Sequence, residues 1–456
     1  MAAGGLPVEL LSNSFDFLST GELLVAQRVC QKWRAAGRDN PTFWRDINLS
    51  TTSLTGVALF RERLYHKTDA MVRVTLALQE AWHRDSVVAD ILPLLSQHLE
   101  RMDSLHLSFH ANVDRDVYDV LVSREAPHLR TFHLAFLVND DQLYAANIPP
   151  TLFARTARLL RTIWLSGMDL PAELPEAFRH VITVTLCLTS KIWHTMPLGF
   201  LATFPAIREC TIVGGAVFDA PVLAESYYRD LLQPLDVLRV SLLGGFPAHV
   251  LHHPELAHVR RIETDDLRQS TVDVLLSHLD LDLSVTVRFQ HGEHKVDAAF
   301  ESVFISRMSG KLRKFDARLA WYLQYPSDVA CLGLNIPEVQ CRVASMTIDV
   351  RLCARIAPTI PPLPMCTVLV LEMATAADLL QLVATGMRFV CPMLHTVVLQ
   401  STSATIHCNP FALAAFLSTT LRRRDIGLGR LHIELHGVEV DNNVLDLASL
   451  ADISCI

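Results

Sequence analysis

Hydrophobic residues recur along most of the chain in a six-residue pattern, apolar-x-x-apolar-x-apolar, which is typical of the strands of a repeat protein. Successive copies begin 21 to 34 residues apart, except for 53 residues between Val259 and Leu312, where a further copy fits around Val285 and Val287. The spacing predicts strand-containing repeats from about residue 44 onward. The copies begin at Trp44, Met71, Met102, Leu129, Leu160, Val181, Ile207, Leu235, Val259, Leu312, Val343, Met365, Leu394 and Leu428.

Helical segments alternate with these predicted strands. Their apolar residues recur at intervals of three and four, as at Val87, Ile91 and Leu95. A strand-helix alternation with a period of roughly 27 residues indicates an α/β solenoid, in which each repeat buries its apolar face against its neighbours. The predicted helices are 55–66, 82–101, 115–124, 271–279, 298–308, 376–387 and 411–423.

The first 49 residues follow a different pattern, that of short amphipathic helices. Pro7 suits a first helical position, because its missing N–H would have no partner there. Ser19 and Glu22 have the spacing of a capping box, which predicts a second helix running to Trp33. Asn40 followed by Pro41 predicts a third helix start, and Ile47 and Leu49 then alternate like an edge strand. The first helix carries Leu10, Leu11, Phe15 and Leu18.

Residues 4–49 resemble the F-box. The resemblance rests on the Leu6-Pro7-x-Glu9-Leu10-Leu11 opening, Leu18-Ser19, the Val29-Cys30-x-x-Trp33 signature and a closing Trp44. It implies a three-helix domain that docks on a Skp-type adaptor. The alternative is that these residues only pack a helical cap onto the repeats. The residues implied to face or frame the adaptor are Leu6, Pro7, Val8, Leu10, Leu11, Leu23, Val29, Cys30 and Trp33.

Residues 50–456 resemble the degenerate leucine-rich repeats that follow F-boxes in many fungal and plant receptors. With its F-box, the chain resembles the fungal-type family of F-box proteins with leucine-rich-like repeats. The predicted fold class is therefore α/β: a three-helix F-box followed by an irregular leucine-rich-repeat-like solenoid. The chain departs from the regular repeat in one respect. Where the family has Asn or Cys after the last strand leucine, this sequence has His110, Leu137, Met168 and Thr189. An irregular arc is therefore expected.

In each strand pattern, the residue between the last two apolar positions points to the opposite face of the sheet. That concave face is the candidate target-binding surface, with Trp164 as the best anchor. An ordinary solvated sheet face, on which polar residues alternate by default, is the alternative. The candidates are His106, His133, Trp164, Arg239, Glu263, Asp316 and His432, and the same rule places Thr185, Thr211, Thr347, Leu369 and Val398 on this face.

Composition and charge narrow the class of protein. Of the 456 residues 50% are hydrophobic and only 19% are charged, so a packed protein is expected rather than a disordered one. The net charge of −8 opposes binding to nucleic acid. Ten cysteines without a CxxC pair fit a reducing compartment. The start MAAGGL is not a secretory signal, and no apolar stretch approaches the roughly 20 residues that span a bilayer, so a cytoplasmic or nuclear protein without membrane contact is expected.

No residue pattern indicates catalysis, a metal site or a cofactor. The sequence contains no GxGxxG, P-loop, GxSxG or HExxH motif. His252-His253 and His291-Gly292-Glu293-His294 are interpreted as polar loop residues. Cys187, Cys210 and Cys408 are assigned to the core, because no acidic or histidine partner is spaced to activate them.

The resemblance implies a non-catalytic substrate-recognition subunit of a Skp–cullin–F-box ubiquitin ligase. Its F-box would bind the Skp-type adaptor and, through it, a cullin, while the arc would hold a target protein near the ubiquitin-charged enzyme. Two alternatives remain open. One is an adaptor-binding or scaffold protein acting outside the cullin ligase. The other is a hydrolase or transferase whose polar cluster forms only in the fold.

Overall fold

The fold is mixed α/β, with helices at the N terminus followed by parallel strands, as the sequence predicts. The chain divides into two compact units, residues 1–235 and 236–456. The predicted F-box boundary at residue 49 lies inside the first unit and stays a prediction. Ser19, His291 and His294 fall outside the described residues. The computed structural model describes residues 6–18, 20–66, 70–80, 83–137, 147–168, 175–188, 201, 203–214, 225–242, 248–266, 268–290, 299–318, 334, 336–352, 360–402, 405–422, 430–440 and 451–455.

Four helices, rather than the predicted three, lie in the described part of the N-terminal segment: α1 (Val8–Phe15), α2 (Thr20–Ala26), α3 (Gln31–Asp39) and α4 (Pro41–Arg45). The prediction of one continuous helix to Trp33 is wrong. The N–H of Arg28 and of Val29 each donate to a carbonyl three residues back, which closes a turn, and Cys30 is then extended at φ −160°. Pro7 caps α1 instead of starting it.

A small core holds these helices together. It contains Leu11, Phe15, Leu23, Ala26, Ala36, Phe43 and Trp44. Asn40 is fully buried, and its side chain both donates and accepts hydrogen bonds. Its amide donates to the Ser12 carbonyl (2.9 Å) and to Asp16 (3.0 Å), and its oxygen accepts from the backbone N–H of Thr42 (2.8 Å), which confirms the predicted cap.

The first unit contains a run of parallel strands, each hydrogen-bonded to the next along the chain. The alternation is strict in β2, where Val72, Val74 and Leu76 are buried and Arg73 and Thr75 are exposed. The side chains that alternate with the buried ones form the surface called here the open face. The strands are β1 (Asp46–Leu49), β2 (Val72–Leu78), β3 (Met102–His110), β4 (Thr131–Leu137), β5 (Thr162–Ser166), β6 (Thr183–Leu188) and β7 (Glu209–Gly214).

Helical segments connect these strands and confirm the first three helices predicted for the repeats. They are α5 (Leu54–Tyr65), a helix that runs through Arg84–Ser86, a π turn at Val87–Ile91, α6 (Leu92–His98) and a 3-10 turn at Leu99–Arg101, then 3-10 Ala111–Val113, α7 (Asp114–Ser123), 3-10 Leu152–Arg155, 3-10 Glu176–Phe178 and α8 (Glu225–Leu232).

Arginine side chains satisfy turn carbonyls in this repeat array, which lacks the asparagine of regular repeats. The Arg101 guanidinium donates to the carbonyls of Leu64 (2.9 Å) and Ala70 (3.0 Å). Arg161 likewise donates to the carbonyls of Arg158 (2.9 Å) and Leu160 (3.0 Å). The bond to the Leu64 carbonyl is buried and those to the carbonyls of Ala70 and Leu160 are partly buried. A carbonyl removed from water is costly without a donor, so these guanidinium groups stabilise the turns.

The second unit contains the remaining described strands and helices. Their bounds are β8 (Val237–Leu242), short helix Ala248–Leu251, 3-10 Pro254–His258, β9 (Arg261–Thr264), α9 (Gln269–Ser277), β10 (Leu283–Gln290), β11 (Ala299–Ser306), β12 (Leu312–Arg318), short helix Pro337–Gln340, β13 (Val343–Asp349), β14 (Val368–Met373), α10 (Ala377–Ala384), β15 (Phe389–Val390), β16 (Thr396–Ser401), β17 (Ile406–Cys408), α11 (Pro410–Ala415) with π turn Phe416–Thr420, β18 (Leu421–Arg422), β19 (Leu431–His436), β20 (Val438–Val440) and β21 (Ala451–Cys455).

One predicted helix of this unit, 298–308, is wrong. The segment forms β11, which pairs antiparallel with both β10 and β12. Ser302, Phe304 and Ser306 are buried at every second position, which is a strand period. Strand β10 confirms the extra copy predicted at Val285. The resulting order β9–β12–β11–β10–β13 departs from the order along the chain.

The repeat predicted to begin at Met365 is out of register by one residue. Leu369 and Leu371 are fully buried, whereas Val368 and Val370 alternate with them on the open face. Leu369 was predicted on the concave face, and that prediction is wrong. A one-residue slip exchanges the two faces of a strand, and here both alternating sets are apolar, so the sequence does not distinguish them.

Candidate functional site

Large apolar side chains are exposed at unusual density in the N-terminal helices. Five of the 18 such side chains among the described residues fall within residues 6–29. They are Leu6, Leu10, Phe17, Val25 and Val29, with exposed fractions of 44%, 51%, 90%, 64% and 62%. Exposed apolar residues concentrated in one short segment indicate a protein–protein contact surface.

The nine predicted adaptor residues divide into two groups. Leu11 and Leu23 are buried in the core of the four helices, and Trp33 packs edge-on against Phe15 with ring centroids 5.5 Å apart. These three residues can support a contact surface from inside. Leu11 and Leu23 cannot contact a partner directly, because they are buried. Val8 is half-buried, and the rest are exposed: Leu6, Pro7, Leu10, Val29 and Cys30. Phe17 and Val25 are exposed apolar residues that the motif comparison missed.

A buried arginine ties these helices to the first repeat. Arg63 of α5 is 1% exposed, and its guanidinium donates to the carbonyls of Phe43 (2.7 Å) and Asp46 (2.7 Å). It also lies over the Phe43 ring, 4.7 Å from the centroid. Burial lowers the pKa of Arg63 to about 10, so the side chain stays charged at neutral pH.

Three predicted target residues form an aromatic ladder on the open face of the first unit. His106, His133 and Trp164 are register partners on β3, β4 and β5. The ring centroids of His106 and His133 are 5.1 Å apart, and those of His133 and Trp164 are 3.7 Å apart. All three side chains are half-buried. The aromatic ladder therefore presents continuous ring surface across three adjacent strands.

The open face around the aromatic ladder carries no charge in its two central rows. The residues of these rows have hydroxyl, amide, imidazole, indole, thiol or aliphatic side chains. Charge depletion around central aromatic residues is typical of the buried core of protein interfaces. One row is Asn48, Thr75, His106, His133, Trp164, Thr185 and Thr211, and the next is Ala77, Ser108, Ala135, Ser166, Cys187 and Val213.

His133 should make the stability of the first unit pH-dependent. Burial, with a smaller contribution from His106, lowers the pKa of His133 to about 4, against about 6.5 in an unfolded chain. The unfolded state therefore binds more protons between pH 6.5 and 4. We expect the free energy of unfolding to be fully retained above pH 6.5 and to fall as the pH drops towards 4. Urea unfolding at pH 7.5, 6 and 5 measures this, and His133→Gln should reduce the loss. An equal loss in that variant would contradict the assignment.

In the second unit, the predicted target residues lie beside side chains of opposite charge or, for His432, beside a carboxylate, on the strand face that alternates with the buried side chains. Arg239 on β8 contacts Glu263 on β9 at 3.1 Å. Asp316 on β12 contacts the Lys314 ammonium at 3.4 Å. His432 on β19 lies 3.6 Å from Glu434. These three pairs belong to different strands, and no ring ladder like that of the first unit connects them among the described residues.

The three cysteines singled out in the sequence, Cys187, Cys210 and Cys408, show no activated arrangement. Burial raises the pKa of Cys210 to about 12, and it also raises the pKa of Cys187 and Cys408. Cys187 is half-exposed on the open face, so its predicted core role is wrong, because the alternation places Leu186 and Leu188 inside. His253 accepts from the Glu255 N–H and caps a 3-10 turn. No group of three or more His, Cys, Asp or Glu among the described residues could hold a metal ion.

Comparisons with known proteins identify the N-terminal segment. A family model described as F-box-like matches residues 3–50. No curated protein matches the chain. Solved structures that match include the Rad7 and Elc1 complex in yeast, with a TM-score of 0.30 and 10% identity over 87% of this chain and 88% of that chain.

The N-terminal segment is therefore an F-box-like domain. A parallel α/β repeat array follows it in the chain. None of the helices described is long and apolar enough to traverse a bilayer.

Proposed function

We propose that the chain is the non-catalytic substrate-recognition subunit of a Skp–cullin–F-box ubiquitin ligase, of the fungal-type F-box and leucine-rich-repeat kind. The observation that carries the proposal is the cluster of exposed apolar residues inside the F-box-like segment. Leu6, Leu10 and Val29 are both exposed and part of the F-box motif. Apolar surface of this kind is stabilised when a partner removes it from water.

The adaptor is proposed to contact the exposed residues Leu6, Pro7, Leu10, Val29 and Cys30 together with the half-buried Val8. Leu11 and Leu23, inside the core of the helices, and Trp33, packed against that core, support this surface. We add Phe17, in the turn after α1, and Val25, on α2, to this surface because both are exposed and lie in the same segment. The cullin and the ubiquitin-charged enzyme reach the complex through the adaptor, so this chain supplies no reacting group.

The target is proposed to bind the open face. The aromatic ladder is the best anchor, because its adjacent, mutually tilted rings offer a large rigid surface and Trp is enriched among residues that dominate binding energy. Arg239, Glu263, Asp316 and His432 are proposed as target contacts within the second unit. Holding the target beside the adaptor raises its effective concentration near the ubiquitin-charged enzyme.

Co-purification with a Skp-type adaptor tests this proposal. We expect Leu10→Ala with Val29→Ala to weaken adaptor binding at least ten-fold, a loss of about 1.4 kcal/mol, with an unchanged midpoint of thermal unfolding. Leu54→Ala is the matched control, because Leu54 is 91% exposed but lies outside the matched segment. Trp164→Ala should also leave adaptor binding unchanged.

The outcomes separate the alternatives. If the folded wild type does not bind the adaptor, the helices form only a cap and the ligase proposal is withdrawn. If the adaptor binds but no cullin or ubiquitin-conjugating activity accompanies it, the chain acts as an adaptor-binding or scaffold protein outside the ligase.

A further inference from the structure

Exposed arginines are concentrated in the turns that lead into strands β4 to β7. Within the described residues from 123 to 214 there is no lysine, and the acidic residues are Glu125, Glu176 and Glu209. Over residues 123–214 as a whole, eight basic residues stand against seven acidic ones, so the distinctive feature is the position of the arginines in the turns rather than the net charge of the region. The exposed arginines are Arg124, Arg130, Arg155, Arg158, Arg161, Arg179 and Arg208.

Backbone hydrogen bonds align these turns at one edge of the sheet. The Arg161 N–H donates to the Arg130 carbonyl (2.9 Å), the Ile182 N–H to the Arg161 carbonyl (2.8 Å), and the Arg208 N–H to the Ile182 carbonyl (2.8 Å). Arg130, Arg161 and Arg208 thus occupy equivalent positions in successive repeats. Arg158 and Arg179 are also equivalent to each other, each three residues earlier. We call these five residues the arginine edge.

Two members of the arginine edge are fixed in place by neutral acceptors. The Arg161 guanidinium donates to the His180 carbonyl at 3.4 Å as well as to carbonyls of its own turn. The Arg208 guanidinium donates to the Pro234 carbonyl at 3.1 Å. Carbonyl partners orient a guanidinium without neutralising its charge. Arg179 differs, because it pairs with Glu176 at 3.0 Å.

We propose that the arginine edge binds an acidic segment of a partner protein. Guanidinium groups bind carboxylate or phosphate oxygens through paired N–H donors. Neighbouring strands lie about 4.8 Å apart, so four turns span roughly 14 Å, about the length of four residues of an extended peptide. A nucleic acid is disfavoured, because its long phosphate backbone would also meet the negative charge of the rest of the chain. This inference does not depend on adaptor binding.

Fluorescence anisotropy with the full chain and labelled peptides tests the inference. The probes are a 12-residue peptide containing six glutamates, the same peptide with glutamines, a version with phosphoserines, and a single-stranded DNA of equal charge. We expect the glutamate peptide to bind at least ten-fold more tightly than the glutamine peptide, and added salt to weaken it. The glutamate and phosphoserine arms distinguish carboxylate from phosphate as the preferred anion.

Arg130→Gln with Arg158→Gln should weaken acidic-peptide binding at least ten-fold. The matched control is Arg61→Gln with Arg115→Gln, which removes the same charge from exposed positions on α5 and α7 and should leave binding within two-fold. Both doubles are checked for an unchanged unfolding midpoint. Equal binding by the two doubles overturns the proposal, and so does equal binding of the two unphosphorylated peptides or preferential binding of the DNA.

Discussion

Replacing Gly167 with alanine is expected to lower the free energy of unfolding of the first unit by about 4 kcal/mol. Gly167 follows β5 with φ +69°, a left-handed conformation that disfavours side chains. An added Cβ would lie 1.9 Å from the Phe136 carbonyl oxygen. The strained backbone and the overlap each cost about 1–3 kcal/mol, because a backbone carbonyl of the neighbouring strand has little room to move. Urea unfolding measures the loss.

Two other glycines serve as graded controls. Gly386 has φ +66° but nothing within 4 Å of an added Cβ, so Gly386→Ala should cost only about 1 kcal/mol. Gly21 lies in α2 with open space around it, so Gly21→Ala should be neutral or stabilise by up to about 1 kcal/mol. A loss at Gly167 no larger than that at Gly386 would show that the carbonyl contact does not limit this turn.

Arg63→Met should destabilise the first unit by about 3 kcal/mol. The substitution keeps an unbranched apolar stem but removes the guanidinium that donates to the carbonyls of Phe43 and Asp46, and loss of a partner by a buried polar group costs about 1–3 kcal/mol. Hydrogen exchange over residues 8–45 should show whether the F-box-like helices are the part that loosens.

The control for this prediction lies on the same helix. Arg61 is exposed, so Arg61→Met should change stability by no more than about 0.5 kcal/mol. Should Arg63→Met behave like Arg61→Met, the bonds to Phe43 and Asp46 would be dispensable, and the first repeat would not hold the F-box-like segment through this side chain.

Local sequence signals predicted much of the fold. The cap at Asn40 and the strand at Ile47 followed from residue type and spacing alone, and both are present. The prediction of a helix over 298–308 failed because Phe304 and Ile305 are compatible with both the helical and the strand period. The segment forms strand β11 because it pairs with two neighbouring strands. Pairing between strands that are distant in sequence cannot be detected from the hydrophobic periodicity of a short sequence window.

The candidate binding sites were likewise predicted only in part from the sequence. Alternation placed His106, His133 and Trp164 on one face, but their ring contacts depend on the register of three strands. Motif comparison named Leu11 and Leu23 but could not tell that they are buried, and it missed Phe17. The arginine edge was invisible, because Arg130, Arg161 and Arg208 are far apart in sequence and only the stacking of repeats brings them together.

The order β9–β12–β11–β10–β13 has a consequence for biosynthesis. Repeat proteins usually assemble one unit at a time, each strand adding to the one already made. Here β10 pairs with β11 and β13, both of which are synthesised after it, and β9 acquires its second partner only when β12 emerges. At a synthesis rate of about 5–20 residues per second, both strands expose unpaired edges for a few seconds on the ribosome. Nascent-chain chaperones are therefore expected to engage this stretch.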